Sequence, residues 1–340
     1  MWGYGSARLA LRALTTRRLD RRDAALEELD VEPSSPRWVA LRQRYDLGEE
    51  LGSGGGGRVF SGRCKARGLP VAIKAVRAHL AAELPREAQL LGEARHRAVL
   101  RVHECLPEDG FLVTERLDGG ELFDRLARRE LVGDANAQRK VLGDVFDAVA
   151  FLHDAGIAHL DLKPENIVLE ADDDESWNLR LVDFGSARRV DGRDGRDGRV
   201  GIHDSPRTAA YAPPELLRRE RGVDPKKVDA WAAGVVAYFV FTGRHPFDGG
   251  GPETTDRDVE RAVLAGAEAA GRFEGADWAR VPAAMRGAVA RCLSPDPAAR
   301  PTLRELADAE WIKTPAPQHR LVLDRGEAAR WVLDGVEPAP

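Results

Sequence analysis

The change from strand-like to helix-like segments along the chain is the feature that most constrains its fold. Residues 46–60 have the pattern of a strand, a glycine turn and a second strand, and further strands are predicted at 70–76 and 111–114. After these, apolar residues recur at helical spacing over 120–129 and 135–153. A strand-rich part followed by a helix-rich part predicts an α+β fold, in which two unequal lobes enclose a cleft.

Shorter segments complete this pattern. A helix is predicted over 78–93, and two short strands are predicted at 167–169 and 179–182. The acidic residues at 172–175 between these strands are typical of a solvated turn. The repeated Asp-Gly-Arg run at 191–199 has the composition of a mobile loop, because its unit is too short for a structural repeat.

Composition and charge exclude several classes of protein. Of the 340 residues, 43% are hydrophobic and 31% are charged, which is typical of a globular chain and not of a wholly disordered one. Lys and Arg number 51 against 56 Asp and Glu, a net charge of −5, so no basic excess indicates nucleic-acid binding. The longest nearly unbroken apolar run, 230–241, is shorter than the ~20 residues that a membrane-spanning helix needs.

The two ends of the chain have their own patterns. The first 22 residues are rich in Arg and contain one acid, Asp20, which is typical of an organelle transit peptide and also of an amphipathic extension helix or a plain tail. The stretch at 32–36 (EPSSP) predicts a linker. The Pro-bounded tail at 314–340 is predicted to contain one short helix around 330–333. Three widely spaced cysteines favour a reducing compartment.

A glycine-rich turn carries the first sign of chemistry. Gly52, Gly54 and Gly57 follow G-x-G-x-x-G spacing between two strands. Glycine lets backbone N–H groups approach phosphate oxygens closely, although a flexible turn has the same composition and the motif alone is weak. Because a strand and not a helix follows, a dinucleotide-binding fold is disfavoured.

A lysine and a glutamate are spaced as a pair. Lys74 ends the apolar strand at 71–74 (VAIK), and Glu87 lies on the helix predicted after it. Such a pair would hold the ammonium group in place to meet nucleotide phosphates. The alternatives are a strand-end lysine with a solvated tip and an exposed helix carboxylate.

The stretch at 159–166 (HLDLKPEN) is the most specific signal. Asp161 can accept a proton from an attacking hydroxyl, and Lys163 supplies positive charge beside a phosphoryl group in transfer. Asn166 offers a side-chain oxygen to a metal, and Asp183, at the end of another apolar strand, can bridge metal and phosphates. Magnesium prefers such hard oxygen ligands, so this set predicts chemistry on Mg-ATP.

In their order along the chain, these motifs resemble those of the eukaryotic-type protein kinases. The glycine turn is followed by 71–74, by Glu87 on a helix, by the loop at 159–166 and by Asp-Phe-Gly at 183–185. Any one match is fallible, but their joint order disfavours chance. The resemblance implies transfer of the γ-phosphoryl group of ATP, with Mg2+, to a protein hydroxyl.

The resemblance also implies a domain organisation. The kinase-like domain would cover 45–312, with a strand-rich N-lobe at about 45–115 and a helical C-lobe at about 118–312. An N-terminal extension, 1–44, and a C-terminal tail, 313–340, would flank it.

The family adds residues to the candidate site. The resemblance implies that Thr114 is a gatekeeper beside a hinge at 115–117 that binds adenine through its backbone, and that Glu121 contacts the ribose. Glu215 and Arg300 are similar to an acid and a late Arg that pair in this family. The predicted set is Asp161 and Lys163 for catalysis, Asn166 and Asp183 for metal, and Gly52, Ser53, Gly54, Gly57, Val59, Ala72, Lys74, Glu87, Thr114, Glu115, Leu117 and Glu121 for the nucleotide.

Finer features indicate the kind of kinase. Lys163 is typical of serine/threonine kinases, because tyrosine kinases lack Lys at that place, and the loop at 159–166 with 310–312 is most similar to the calcium/calmodulin-dependent group. In the tail, basic residues are offset by acidic ones, so calmodulin binding is not expected. We expect Ser/Thr-containing protein substrates, no nucleic-acid partner, no membrane span, a monomer, and a cytoplasmic location unless the first 22 residues form a transit peptide.

Two of the chain's departures from the family bear on its activation and its substrates. Leu160 stands where an Arg normally binds a phosphate on the activation loop, and Leu cannot form a charge-assisted hydrogen bond, so activation without loop phosphorylation is expected. Phe239 stands where Arg-preferring kinases often have Glu, which leaves Glu121 and Glu165 as acidic candidates for recognition of a basic residue in the substrate.

Two other functions stay open at this point. A pseudokinase would bind nucleotide or partner proteins without transfer, but none of the motif side chains that act on ATP is missing here. A small-molecule phosphotransferase would lack the segment around Glu215 and the helix that begins with Asp229, and both are present.

Overall fold

A computed structural model describes the chain over several ranges: 35–54, 56–171, 176–190, 209–247, 254–266, 275–314, 319–322 and 330–333. The first 22 residues, the acidic turn at 172–175 and the Asp-Gly-Arg run at 191–199 lie outside the described residues.

A five-stranded antiparallel sheet forms the smaller lobe. Its strands are β1 (Tyr45–Gly54), β2 (Gly57–Cys64), β3 (Pro70–Ala75), β4 (Val102–Leu106) and β5 (Phe111–Glu115), in the order β1-β2-β3-β5-β4. In β3, Val71, Ile73 and Ala75 are buried in one cluster, whereas Ala72 and Lys74 between them are half-buried. This alternation is the period of two that directs neighbouring side chains to opposite faces of a sheet, and it aims Lys74 towards the cleft.

A helix before the sheet covers its other face. Helix α1 (Pro36–Arg44) begins at a proline, whose missing N–H costs nothing at the first helical position. Trp38 of α1 is 3% exposed, and its ring meets that of Phe111 edge-on with centroids 4.8 Å apart. The predicted linker at 32–36 therefore ends in the start of a helix, and that helix adds apolar side chains to the core of the small lobe.

The helix predicted over 78–93 is divided in two. A 3-10 segment, Ala78–Glu83, precedes helix α2 (Leu84–Glu93). Pro85 has no N–H and its ring crowds the preceding turn, so it begins α2 there and does not continue the earlier turns. Glu87 lies on the buried face of α2 with Leu90 and Leu91, which directs it into the molecule.

Helices build the larger lobe. They are α3 (Leu122–Ala127), α4 (Ala135–Asp154), α5 (Pro214–Leu217), α6 (Pro225–Thr242), α7 (Asp256–Leu264), α8 (Ala276–Arg280), α9 (Ala283–Cys292), α10 (Leu303–Ala307) and α11 (Glu310–Lys313). Helix α6 is buried along nearly its whole length, with Trp231 fully enclosed. The predicted two-lobed α+β fold is confirmed.

Four short strands position the loops that face the cleft. Strand β6 (Ile157–Ala158) pairs with β9 (Arg188–Arg189), and β7 (Ile167–Leu169) pairs with β8 (Leu179–Leu181). The loop at 159–166 therefore starts from one strand pair and ends in the other. Asp183 lies two residues after the end of β8, so the two strand pairs bring this residue beside that loop.

One element of the tail differs from the sequence prediction. The residues predicted as a short helix form a strand, β11 (Arg330–Leu333), which pairs with β10 (His319–Val322) in antiparallel register. Four residues make barely one helical turn, whereas Trp331 and Val332 favour a pleated strand and the partner satisfies their backbone groups. Within the described ranges, no helix is both long and apolar enough to cross a bilayer.

Candidate active site

One ammonium group joins the two lobes at the cleft. Lys74 Nζ donates to Glu87 Oε1 at 2.8 Å and to Asp183 Oδ1 at 3.0 Å. Lys74 belongs to the sheet, Glu87 to α2, and Asp183 to the segment after β8. The predicted Lys–Glu pair therefore forms, and it includes the carboxylate that the sequence assigned to a metal.

The charges of this cluster stabilise each other. Burial alone would lower the pKa of Lys74, but the carboxylates of Asp183 and Glu87 raise it above its usual value. In turn, Lys74 lowers the pKa of Asp183 to about 2. Asp183 therefore stays ionised at neutral pH, as a metal ligand must be, and Lys74 stays cationic.

The backbone at Asp183 is bent to present its carboxylate. Its φ of 58° lies in the left-handed region, which is uncommon for a residue other than glycine. The Gly185 N–H donates to Asp183 Oδ1 at 3.3 Å and supports this turn. Phe184 between them is fully buried against the His159 ring, so its role is packing.

In the loop at 159–166, two donor groups lie around the carboxylate of Asp161. Lys163 Nζ donates to Asp161 Oδ2 at 2.8 Å, and Asn166 Nδ2 donates to the same oxygen at 2.9 Å. The Asp161 charge raises the pKa of Lys163 although burial opposes this, and Lys163 in turn contributes to the low pKa of Asp183. The carboxylate at 161 is thus held in one orientation beside two donors.

Asp229 of α6 anchors the loop at 159–166 through buried hydrogen bonds. Asp229 Oδ2 accepts the His159 N–H at 2.8 Å, its Oδ1 accepts the Leu160 N–H at 2.7 Å, and His153 contacts Oδ2 at 2.9 Å. These bonds stabilise the left-handed backbone of Leu160, whose φ is 66°. The sequence marked Asp229 only as a family feature. Its position just before the long apolar part of α6, 230–241, indicates that it needs a buried polar partner.

The glycine turn closes over Lys74. Gly57 has a φ of +139°, and a Cβ on it would lie 2.2 Å from the Ala75 carbonyl oxygen, so only glycine fits. A Cβ on Gly56 would meet Lys74 Cε at 3.6 Å, which places the tip of the turn above the ammonium group. Val59 lies directly opposite Lys74 in the sheet. Gly52 and Ser53 are exposed, Gly54 ends β1, and Gly55 lies outside the described residues.

Side chains expected to surround adenine line the connection between the lobes. Thr114 is buried and pairs with Ala72 across the strands. The Glu115 N–H donates to Arg101 O, its carboxylate accepts from Arg180 Nε at 3.1 Å, and its backbone carbonyl accepts from Thr114 Oγ1 at 3.1 Å. Leu117 is half-buried beyond it, and Glu121 stands before α3, where it forms an isolated bridge with Val168.

The oxygen ligands present fit a hard cation. The N–H of Val182 donates to the Asn166 carbonyl at 2.9 Å, which holds Asn166 beside the turn that presents Asp183. Asn166 uses its amide nitrogen as a donor, which leaves the amide oxygen for a metal. The described residues contain no group of three or more His, Cys, Asp or Glu side chains that could hold a metal ion.

A buried ion pair stabilises the far side of the site. Arg300 Nη1 and Nη2 donate to Glu215 Oε1 and Oε2 at 2.6 and 2.8 Å, and neither side chain is more than 4% exposed. The pairing expected from the sequence is therefore present. The stretch from Asp183 to Pro213 is called the activation segment below. The ion pair connects α5, which follows this segment, to the last part of the helical lobe.

The structure brings the predicted residues to one cleft without assigning their roles. Lys74, Glu87 and Asp183 are in contact, and Asp161, Lys163 and Asn166 are in contact. Their functions in nucleotide binding, metal binding and catalysis stay predictions.

Residues 45–312 match the family model described as the protein kinase domain. The match covers most of the chain, and the fold and the cleft have the features that the sequence motifs predict for that family. The chain belongs to the protein kinase family.

Curated relatives are protein kinases of plants. The chain is 34% identical over 298 residues to putative CBL-interacting protein kinase 27 of Oryza sativa subsp. japonica, which covers 85% of this chain and 69% of the relative. It is 36% identical over 291 residues to CBL-interacting protein kinase 4 of the same organism, with 80% and 58% covered.

A third relative is CBL-interacting serine/threonine-protein kinase 20 of Arabidopsis thaliana, which is 29% identical over 283 residues, with 81% of this chain and 60% of the relative covered. The domain is thus of the serine/threonine kinase class, as predicted. The chain spans about six to seven tenths of the length of these relatives.

Proposed function

We propose that this chain is an active serine/threonine protein kinase that transfers the γ-phosphoryl group of ATP to hydroxyl groups of proteins. The observation that carries the proposal is the Lys74 ammonium between Glu87 and Asp183. This contact joins the sheet, α2 and the segment after β8. It assembles a cationic phosphate site next to an ionised metal ligand.

The chain's own residues divide the work of transfer. Asp161 orients the substrate hydroxyl and accepts its proton, while Lys163 neutralises charge that develops on the transferring phosphoryl group. Lys74, held by Glu87, positions the α- and β-phosphates, and the glycine turn excludes water above them. Asn166 and Asp183 would hold Mg2+, which supplies charge neutralisation of the phosphates.

The test measures transfer from labelled ATP, with magnesium, to a generic protein substrate. We expect Asp161→Asn and Asp183→Asn each to lower kcat by at least ~100-fold, because each removes a group that acts in the transition state. Asp154→Asn is the matched control, since Asp154 lies on the surface of α4 and pairs with Arg304. Label that persists in both active-site variants would contradict the proposal.

The transfer assay, together with a nucleotide-binding measurement, distinguishes an active kinase from a pseudokinase. A pseudokinase scaffold would bind a fluorescent ATP analogue but transfer no label, in wild type as in the variants. Every side chain that transfer requires is present and in contact here, which favours the enzyme.

We further propose a preference for substrates with a basic residue upstream of the target. Glu165 Oε2 is buried and has no hydrogen-bond partner among the residues that the structure describes, and burial raises the pKa of Glu165 to about 7. A substrate guanidinium would satisfy this oxygen. Phe239 is buried against Phe123 and offers no second acid. Peptide-array profiling should therefore enrich Arg or Lys upstream, and a flat profile would contradict this.

The wider setting is proposed on the sequence alone. We propose that the kinase is nearest to the calcium/calmodulin-dependent group, acts as a cytoplasmic monomer and does not bind calmodulin, because the tail has no basic face. The relatives' names describe interaction with CBL proteins instead. Pull-down with calmodulin and with a CBL protein, each with and without calcium, tests both partners, and capture by calmodulin would contradict the proposal.

A further inference from the structure

A second set of contacts joins α2 to the large lobe, away from Lys74. Arg189 of β9 forms an ion pair with Glu93 in the last turn of α2, and these side chains are 14% and 37% exposed. One residue before Glu87, Arg86 Nη2 donates to the Gly185 carbonyl at 2.9 Å. Glu87 therefore lies between two attachments of its own helix to the segment that follows Asp183.

The partner strand extends this connection to the catalytic loop. Arg189 pairs with Ile157 of β6, and His159 of the loop comes two residues after Ile157. The ion pair thus links the helix that carries Glu87 to the strand that precedes Asp161. Because the pair crosses from one lobe to the other, it sets how far Glu87 stands from Lys74 and Asp183.

The side chain of Leu160 carries no charge, so it cannot form an ion pair that links the loop at 159–166 to another element. Leu160 is 3% exposed and packs with Val223 and Val228, and with the partly buried Val190 and Leu216. This apolar cluster stabilises the loop but offers no donor to a phosphate. A permanent carboxylate at 93 is available to Arg189 whether or not the activation segment is modified.

We propose that Arg189 and Glu93 are positioning residues, whose ion pair holds α2 against the activation segment and so keeps Glu87 on Lys74. The proposal rests on the kinase function proposed above and deepens it. It requires that the effect come from the interaction of the two charges and not from either side chain alone, so that exchange of the two charges preserves it.

The test uses the full chain with Glu93→Ala, Arg189→Ala and the double exchange Glu93→Arg with Arg189→Glu. We expect each single variant to lower kcat/KM about tenfold, mainly through a higher KM for ATP, and the exchange to restore most of the loss. Arg261→Ala is the matched control, because its guanidinium pairs with Asp258 within α7.

A structural measurement keeps this test independent of transfer. Hydrogen exchange of the α2 amides, measured without nucleotide, should be faster in both single variants and slow again in the exchange variant. This holds even if the wild type transfers no phosphate, so failure of the proposed function and failure of the pair are distinguishable. Unchanged α2 exchange in the single variants, or an exchange variant as impaired as they are, overturns the proposal.

Discussion

At the scale of single residues, Leu160 replaces a charge with an apolar contact. Its side chain is enclosed by valines and a leucine, and its left-handed backbone is held by Asp229. A phosphate on the activation segment would find no cation at this position. The orientation of the loop therefore comes from packing and from buried hydrogen bonds, which are present as soon as the chain folds.

We predict that phosphatase-treated kinase keeps most of its activity. Ser205, which lies outside the described residues, is the site to test: Ser205→Ala should change kcat less than about twofold, because no phosphate contact at 160 is lost. Loss of nearly all activity in Ser205→Ala would contradict the prediction.

The proposed recognition of a basic substrate residue by Glu165 should depend on pH. Burial raises the pKa of Glu165 to about 7, so its charged form, which attracts a basic substrate residue, is present above that pH and lost below it. For a peptide with an upstream Arg, KM should fall about tenfold from pH 6 to 8, following the ionised fraction. The matched peptide with Ala should lack this trend, and so should Glu165→Gln. A trend retained in Glu165→Gln would exclude Glu165 as its cause.

At the scale of elements, helix α1 completes the small lobe. Trp38 fills the space over Phe111 and Phe60, with ring centroids at 4.8 and 5.4 Å. Trp38→Ala should destabilise the protein by about 3 kcal/mol or more, as large-to-small changes in a core do, and lower Tm by several degrees. Denaturant unfolding measures this.

The same helix supplies the control. Val39 is 46% exposed, so Val39→Ala should change stability by less than about 0.5 kcal/mol. Because α1 covers the face of the sheet opposite Lys74, folded Trp38→Ala should keep its KM for ATP. Equal stability of the two variants would mean that α1 does not contribute to the core.

Elements differ in how far sequence predicts them. The long helix α4 and strand β3 have strong periodicity, and they were predicted to within a residue or two. Strand β4 was missed, because its residues are all half-buried and include His103 and Glu104, which hide the alternation. Helix α1 was missed because its proline reads as a breaker when it is in fact the first helical residue.

At the scale of the whole molecule, one buried ion pair holds the activation segment's end to the helical lobe. Removal of Glu215 leaves the Arg300 guanidinium buried without its carboxylate. We predict that Glu215→Ala costs about 3–5 kcal/mol in unfolding free energy, whereas Glu215→Leu with Arg300→Met costs much less, because no uncompensated charge remains. A single variant that loses under ~1 kcal/mol would contradict this.

The sequence predicts the residues of the candidate site better than it predicts the contacts that hold them in place. Asp161, Asn166 and Asp183 stand in motifs whose residue types and spacing carry the chemistry by themselves. The pair of Arg189 with Glu93 and the anchoring of the loop by Asp229 depend on which surfaces meet after folding. No local pattern marks the pair of Arg189 with Glu93, since each partner alone resembles an ordinary charged residue, and the pattern around Asp229 indicates a buried polar partner without identifying it.

Asp229 anchors the loop at 159–166 in the large lobe, so the group proposed to act on the protein substrate and those proposed to cover the nucleotide belong to different lobes. The loop that carries Asp161, the proposed proton acceptor, is fastened to the deeply buried helix α6 of the large lobe, while the glycine turn and Lys74 belong to the sheet of the small lobe. We therefore expect an outward movement of the small lobe, which would release spent nucleotide, to leave the loop that carries Asp161 in place. Product release and alignment of the reacting groups would then depend on different parts of the chain.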